Sequence, residues 1–173
     1  MKRRPLLTYL FLFTLFVGID FLVKEWTLAN ITPMALSQTQ FPYGGLAVFH
    51  DFFGIDFSIN LVFNKGMAWG LFSQYPQILL IFRLILIGAL LLNLFVFGER
   101  GKGDLPLIFI LSGASGNVID TFLRGHVIDM FYFNFWGKAP FAVFNVSDFL
   151  ICLGIVWITL QYLTRPKIYA SAT

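Results

Sequence analysis

Charged residues are scarce in this chain of 173 residues. Only 12% of the residues are Asp, Glu, Lys or Arg, whereas 58% are hydrophobic and the mean hydropathy is +0.78. A water-soluble globule of this composition would lack the polar surface needed to cover its core. The scarcity of charge therefore excludes an ordinary soluble domain and predicts an integral membrane protein.

Cysteine is nearly absent, and common hydrolase motifs are missing. The one cysteine, Cys152, lies in an apolar run, so an intramolecular disulfide is excluded and a buried structural thiol is expected. Neither G-x-S-x-G nor H-E-x-x-H occurs, which removes the usual serine-hydrolase and zinc-protease signatures. His50 and His126 lack a partner at ligand spacing, so we expect no metal site.

Four segments are long and apolar enough to cross a bilayer, which needs about 20 residues per helix. They are residues 6–23, 77–97, 105–123 and 146–163. The third carries small and polar residues, which suit close packing and a protein interior. No repeat or polar linker separates them, so we expect one integral membrane domain over residues 1–173.

Basic residues set the predicted orientation, because the positive-inside rule makes the side on which they cluster cytoplasmic. Both chain ends are then cytoplasmic, and the net charge of +3 needs no nucleic-acid partner to explain it. Seven of the twelve basic residues flank the segments on that side: Lys2, Arg3, Arg4, Arg100, Lys102, Arg165 and Lys167.

The first segment could instead be a cleaved signal peptide, with a weak cleavage site at residues 27–29. Asp20, Lys24 and Glu25 argue against this alternative, since a cleavage region should be neutral and small. We therefore prefer a first membrane span.

Two connections remain on the outer side, and neither has the composition of disordered chain. Residues 55–64, IDFSINLVFN, alternate apolar and polar side chains apart from Val62, which indicates a half-buried strand. The second connection contains HVIDMFYFNFW, whose aromatic residues are typical of chain at the membrane interface. We expect an all-α membrane protein with four transmembrane helices and a small extracytoplasmic β-sheet, over about residues 40–72, resting on the membrane surface.

Polar residues from distant segments are expected to meet at one depth. With a rise of about 1.5 Å per residue, each falls near the outer edge of the hydrocarbon layer. Ionisable groups there are costly unless they are paired or face a cavity, so they are a functional hypothesis. The residues of this layer are Asp20, Lys24, Asn64, Asn117, Asp120, Arg124, Asp129, Asn145 and Asp148.

Structural roles alone could explain part of this layer. Asp20 and Lys24, at positions i and i+4, can neutralise each other. Asn117 and Asp120 share one helix face and can join helices rather than contact a ligand. Both alternatives remain open from the sequence.

Asp129 and Asp148 have no obvious basic partner. Asn145 and Ser147 can cap the fourth helix, and the helix dipole favours Asp148 in its first turn. If the two carboxylates lie close together, they cannot both ionise, and one proton is shared between them. Such a pair can activate water for attack on a carbonyl group.

Four motifs, in order along the chain, carry a family signature: GIDFLVK, FNKGMAWGLF, SGASGNVID with the following GHVIDMF, and FNVSD. On these motifs the chain resembles, nearly from end to end, the bacterial lipoprotein signal peptidases. These type II signal peptidases are membrane aspartyl proteases. The resemblance implies a membrane-embedded endopeptidase with Asp129 and Asp148 as its catalytic pair. Supporting or substrate-binding roles are implied for Asp20, Lys24, Asn64, Gly66, Asn117, Asp120 and Asn145.

The resemblance also implies the substrate and the location. The substrate is a prolipoprotein whose lipobox cysteine already carries diacylglyceryl, and it is cut just before that cysteine. The enzyme is expected in the bacterial cytoplasmic (inner) membrane, with its active site near the outer face. No metal or organic cofactor is expected. Membrane lipid and globomycin-type inhibitors are expected partners of a monomeric chain.

This chain departs from the family pattern at three positions. Thr121 stands where the family commonly has arginine, and Arg124, one helical turn later, is a candidate to replace it. Ser112 and Ser147 stand at a usual glycine and a usual alanine. Arg83, near the start of the second segment, is interpreted as a snorkelling side chain.

A small proton-coupled or ion-binding transport protein is the main alternative, because intramembrane Asp and Asn residues also form proton relays. A relay needs ionisable groups through to the cytoplasmic half, where the first, third and fourth segments have almost none. A lipid-binding scaffold without chemistry is a third possibility, and it would tolerate amide replacement of either aspartate.

Overall fold

A computed structural model of the chain describes residues 6–67, 71–97, 104–137 and 139–164. The helices in these residues are α1 (Leu6–Asn30), α2 (Pro76–Leu92), α3 (Asp104–Arg124) and α4 (Val146–Leu163), and the strands are β1 (Leu46–Phe52), β2 (Ile55–Asn64), β3 (Val127–Phe135) and β4 (Ala139–Pro140). The strands form one antiparallel sheet in the order β1-β2-β3-β4. The seven basic residues that set the predicted orientation, and Ala68 of the second motif, lie outside the described residues.

All four helices are long and apolar enough to cross a membrane. Helices α2, α3 and α4 begin and end within one residue of the last three predicted spans, with α2 continuing into a π-helical turn from residue 93. The first predicted span, residues 6–23, ends too early, because α1 continues to Asn30. The helix includes residues 27–29, the weak cleavage site considered above. The charges that suggested an end are paired, Lys24 with Asp120 and Glu25 with Arg124 on α3.

Helix α3 occupies the centre of the helical bundle. Most of its residues are buried, whereas α1, α2 and α4 expose large apolar side chains over most of their length. Glycines allow its neighbours to approach closely: a Cβ on Gly113 would collide with the Ser147 carbonyl oxygen, and one on Gly116 with the Ser147 hydroxyl and with Asp20. Small residues are what close packing of membrane helices requires. The expectation that the third segment faces a protein interior is confirmed.

The strand predicted over residues 55–64 is confirmed as β2. The sheet is not confined to residues 40–72, however, because β3, which was interpreted as interfacial chain, pairs along the length of β2. Their register places Asn64 opposite Val127 and Val62 opposite Asp129. The pairing thereby brings the end of β2 to the start of β3, where the polar residues of two distant motifs meet.

The predicted faces of β2 are wrong in part. Ser58 and Asn60 are fully buried, and Phe63 is 47% exposed. The register shifts between Ile59 and Val62, which interrupts the simple alternation of faces. Asn60 Nδ2 donates to the Pro42 carbonyl, 3.1 Å away, whereas Asn60 Oδ1 and Ser58 Oγ have no hydrogen-bond partner among the described residues. The apolar core of this region is formed by Leu61, Ile128 and Met130.

The close contact between α3 and α4 can be tested with matched glycine replacements. Gly113→Ala should lower the free energy of unfolding by about 1–3 kcal/mol, because its Cβ would press on the Ser147 carbonyl and on Ile151. Gly88→Ala on α2 is the control, since a Cβ there meets nothing within 4 Å. Thermal unfolding in detergent micelles measures both. Equal melting temperatures for the two variants would contradict the packing described.

Candidate active site

The side chain of Lys24 is fully buried between α1 and α3. Its Nζ lies 2.7 Å from Asp20 Oδ2, 2.8 Å from Asp120 Oδ2 and 3.2 Å from Asn117 Oδ1. An ammonium group has three N–H donors, and each has an acceptor here. Lys24 therefore does more than neutralise its helical neighbour Asp20, because it also joins α1 to α3.

Asp120 is held by several partners. In addition to Lys24, its Oδ1 accepts from Arg124 at 2.5 Å and its Oδ2 accepts from the backbone N–H of Ile128 at 3.1 Å. Arg124 also forms an ion pair with Glu25 of α1. Asp120 thus connects α3 to the first residues of β3, which places the neighbouring Asp129.

Asp20 connects α1 to the first turn of α4, because its Oδ1 accepts from the backbone N–H of Ser147 at 2.8 Å. The Ser147 hydroxyl has no hydrogen-bond partner among the described residues and is buried against Gly116. The hypothesis that Ser147 caps the helix is therefore wrong. Its small size, rather than its hydroxyl group, suits the position.

The expected cap by Asn145 is present. Asn145 Oδ1 accepts from the backbone N–H of Asp148 at 2.9 Å, and Asp148 Oδ2 accepts from the backbone N–H of Asn145 at 3.3 Å. This reciprocal arrangement is a capping box at the N-terminus of α4. It fixes the Asp148 side chain relative to the helix that carries it.

Three asparagines hold the two aspartates in one site. Asp129 Oδ1 accepts from Asn145 Nδ2 at 2.7 Å, and its Oδ2 accepts from Asn64 Nδ2 at 2.9 Å. Asp148 Oδ1 accepts from Asn117 Nδ2 at 2.8 Å. Asn145 therefore contacts both carboxylates, one through its side chain and the other through its backbone N–H. Residues from β2, β3, α3 and α4 are brought together in this way.

Burial and the charge of Asp148 raise the pKa of Asp129 to about 7, because both disfavour a carboxylate in this position. The hydrogen bonds from Asn64 and Asn145, and the more distant charge of Lys24, act in the opposite direction. Near neutral pH, Asp129 can therefore hold or release a proton.

A cavity of about 500 Å³ lies beside both carboxylates. Asn64, Asn117 and Arg83 contribute its polar lining, and the remaining walls are largely apolar. Cys152, one helical turn after Asp148, also lines it and is exposed, so the expectation of a buried thiol is wrong. The apolar walls include Val127, Phe141, Val143, Phe144, Phe149 and Ile151.

Arg83 is the functional candidate that the sequence interpretation missed. It does not simply snorkel, because Nη1 donates to Thr121 Oγ1 at 3.4 Å and Nη2 donates to the Gly66 carbonyl at 3.3 Å. An arginine within an otherwise apolar span is itself a signal of a polar cavity, and that signal was available in the sequence.

The described residues contain no group of three or more His, Cys, Asp and Glu side chains that could hold a metal ion. His50 binds Asp56 within the sheet, and His126 packs against the ring of Phe63. The site offers carboxylates, amides and one guanidinium group, and these suit proton transfer and hydrogen bonding.

Four helices long and apolar enough to cross a membrane, and two buried carboxyl groups beside one cavity, match what a membrane aspartyl protease requires. A family model described as signal peptidase (SPase) II matches residues 12–164. The chain belongs to the signal peptidase II family, as the sequence motifs predicted.

Several relatives named lipoprotein signal peptidase match most of the chain. That of Chlamydia pneumoniae is 34% identical, covering 91% of this chain and 92% of the relative. That of Chlamydia felis is 35% identical, with 96% and 97% covered. That of Bartonella henselae is 33% identical, with 94% and 93% covered. The similarity thus extends over whole proteins rather than over one motif.

Two solved structures have the same fold. Both are bacterial membrane enzymes determined by the in meso method, one at 2.3 Å and one at 1.9 Å resolution. The first has a TM-score of 0.77 at 20% identity and covers 99% of this chain and 97% of its own. The second has a TM-score of 0.75 at 22% identity, with 95% and 98% covered. The predicted fold class is confirmed.

Removing the Lys24 ammonium should destabilise the fold. Lys24→Met leaves Asp20 buried without its cation, which costs about 3–5 kcal/mol of unfolding free energy. Adding Asp20→Asn should recover part of that loss, because the amide keeps an oxygen for the Ser147 N–H but carries no charge. Thermal unfolding of the single and double variants measures the coupling. A double variant that is no more stable than Lys24→Met would contradict the ion pair's role.

Proposed function

We propose that this protein removes the signal peptide from lipid-modified prolipoproteins, with Asp129 and Asp148 as its catalytic pair. Its family and its relatives named lipoprotein signal peptidase carry the assignment of the reaction. One observation supports the assignment of the pair: Asn145 binds Asp129 through its side chain and Asp148 through its backbone.

In the proposed resting state, Asp129 holds the shared proton and Asp148 is ionised. Burial and the nearby charge raise the pKa of Asp129 to about 7, which favours its protonated form. Asp148 lies in the first turn of α4, where the helix dipole favours a negative charge. The position of Asp148 at a helix N-terminus, and that of Asp129 on a strand, distinguish the proposed base from the proposed acid.

The reaction follows from these two protonation states. Ionised Asp148 accepts a proton from water as the water oxygen attacks the scissile carbonyl carbon, while Asp129 donates its proton to the carbonyl oxygen. The resulting diol collapses: the C–N bond breaks, the leaving nitrogen takes the proton from Asp148, and a diol hydroxyl returns a proton to Asp129. The pair ends as it began, with one proton.

The asparagines orient the pair without neutralising it. Each described hydrogen bond occupies one acceptor position of a carboxylate oxygen, and each oxygen has two lone pairs. Acceptor capacity therefore remains toward the cavity for water or for the peptide. Neutral amides also leave the pair's single negative charge in place, which a direct ion pair would stabilise too strongly for a base.

The cavity suits a lipid-bearing substrate. Its walls are largely apolar, and it lies among helices whose outer surfaces expose large apolar side chains. A peptide whose cysteine carries diacylglyceryl can place its acyl chains against such walls while its backbone reaches the aspartates. We propose cleavage just before that cysteine, and binding of globomycin-type inhibitors in the same cavity. We also propose that a monomer, in contact with membrane lipid, is active.

The proposed location is the outer half of the bacterial cytoplasmic membrane. The polar residues of the site belong to the last part of α1, the last part of α3 and the first turn of α4, which lie on one side of the bundle. Seven of the twelve basic residues flank the opposite ends of these helices in the sequence. With those ends cytoplasmic, the site faces the extracytoplasmic side.

The transport alternative is not favoured. In the described inner halves of α1, α3 and α4, Asp104 is the one acidic or basic residue, and it binds the Tyr9 hydroxyl at 3.2 Å. A relay of ionisable groups across the membrane is therefore missing from these helices.

Amide replacement tests the catalytic pair. Asp129→Asn and Asp148→Asn should each lower kcat for a lipidated precursor by about 10²–10⁴-fold, because an amide can neither accept nor donate the transferred proton. Asp51→Asn is the matched control, since Asp51 is exposed on β1 and should keep full activity. Purified variants with the parent melting temperature are compared by the rate of precursor cleavage. Undiminished cleavage by either replacement would refute the assignment.

The pH dependence tests which residue holds the proton. Because Asp129 must be protonated, kcat/KM should fall as the pH rises through about 7. Asn64→Ala removes a hydrogen bond that favours the ionised form, so the pKa of Asp129 should rise and the alkaline limb should move to higher pH. A pH–rate profile of each protein measures this shift. An alkaline limb that stays in place, or moves to lower pH, would contradict the assignment.

A further inference from the structure

Arg83 is the one charged residue on the otherwise apolar helix α2. Among the described residues of α2, Leu79 alone is fully buried, and most of the others expose apolar side chains. The Arg83 side chain is half-buried and lines the cavity beside both aspartates. It is the one basic residue in the described lining of that cavity.

A line of hydrogen bonds leads from Arg83 to Asp129. Arg83 Nη2 donates to the Gly66 carbonyl at 3.3 Å, and the Gly66 N–H donates to Asn64 Oδ1 at 2.8 Å. Asn64 Nδ2 then donates to Asp129 Oδ2 at 2.9 Å. The guanidinium group therefore holds the turn that orients the Asn64 amide. Movement of that turn would withdraw a hydrogen bond from Asp129.

A second line leads to Asp148. Arg83 Nη1 donates to Thr121 Oγ1 at 3.4 Å, and Thr121 Oγ1 donates to the Asn117 carbonyl at 2.9 Å. The side chain of the same asparagine donates to Asp148 Oδ1 at 2.8 Å. The turn of α3 that carries Asn117 is thus tied, through Thr121, to the head group of Arg83.

We propose that Arg83 is a positioning residue of the active site, which ties the supports of the two aspartates together and supplies the positive charge of the cavity. A guanidinium group stays charged at all working pH values and presents five N–H donors in a planar fork. Two described bonds leave donors free to face the cavity. A cation there favours the single negative charge on the aspartate pair. The proposal rests on the catalytic assignment of Asp129 and Asp148.

The arrangement also accounts for Thr121. A short side chain at this position leaves space for the Arg83 head group, and its hydroxyl serves as an acceptor. Arg124, the sequence-based candidate for the missing arginine, is engaged instead with Asp120 and Glu25 and is not among the described residues that line the cavity. The cation of the cavity in this chain comes from α2.

The test compares Arg83→Met with Arg83→Lys in the full-length protein, using a lipidated precursor. Arg83→Met should lower kcat by about tenfold or more through misplacement of the pair, with KM changed by less than about threefold. The acid limb of its pH–rate profile should move to higher pH, because loss of the cation makes the negative charge on the aspartate pair less favourable. Arg83→Lys should keep the acid limb of the parent but recover kcat only in part, since an ammonium group cannot span both acceptors.

Two further variants separate charge from hydrogen bonding. Thr121→Val removes the hydroxyl that accepts from Arg83 but keeps the size of the side chain. The kcat should fall by about a few-fold, because one support of the pair is misplaced, and the acid limb of the pH–rate profile should not move. Lys65→Met removes an exposed positive charge from the same turn as Gly66, and it should change neither kcat nor the profile.

An Arg83→Met variant with the parent kcat would overturn the proposal. A reduced kcat with an unmoved acid limb would overturn the charge role, and an equal shift in Lys65→Met would do the same. If Arg83→Met does not fold, judged by its melting temperature, Arg83→Lys decides: full kcat contradicts the positioning role, and a partial loss with the parent acid limb supports it. Failure of the catalytic assignment would appear separately, as full cleavage by Asp129→Asn or Asp148→Asn.

Discussion

The buried ammonium group of Lys24 is the interaction on which the rest of the site depends. A charge inside a membrane protein is costly unless it is paired or faces a cavity, and here three acceptors surround the Lys24 ammonium group. Two of those acceptors also bind other elements: Asp20 accepts a hydrogen bond from the first turn of α4, and Asp120 accepts one from the start of β3. Asn117, the third, binds Asp148. One lysine therefore sets the relative positions of the elements that carry the two catalytic candidates.

The carboxylates of the site fall into two groups, those in ion pairs and those bound by amides. Lys24 and Arg124 are paired with Asp20, Asp120 and Glu25, and these ion pairs hold the helices together. The other two carboxylates are held by neutral amides. This division has a chemical consequence, because a direct ion pair would keep a carboxylate ionised, whereas amide donors and burial leave one that can still hold a proton near pH 7.

The asparagine side chain suits this task because it donates and accepts at once. Asn145 shows both uses: its oxygen caps α4, and its nitrogen binds Asp129. Capping and catalysis are therefore not competing explanations for the motif FNVSD. The cap fixes the start of the helix, and the same geometry aims Asp148 at the cavity that Asp129 also lines.

The sequence by itself determined that the protein has long apolar helices, the bounds of three of them to within one residue, the strand over residues 55–64 and the family. Hydropathy, alternation and motifs are properties of short stretches of chain. Only the tertiary structure decided what depends on a distant neighbour. α1 continues past Lys24 because α3 supplies partners, and β3 belongs to the sheet because β2 pairs with it. Arg83 faces the cavity because its acceptors lie on other elements, and Cys152 is exposed because it lines the same space. Such contacts follow from the packing of remote segments, which no local pattern records.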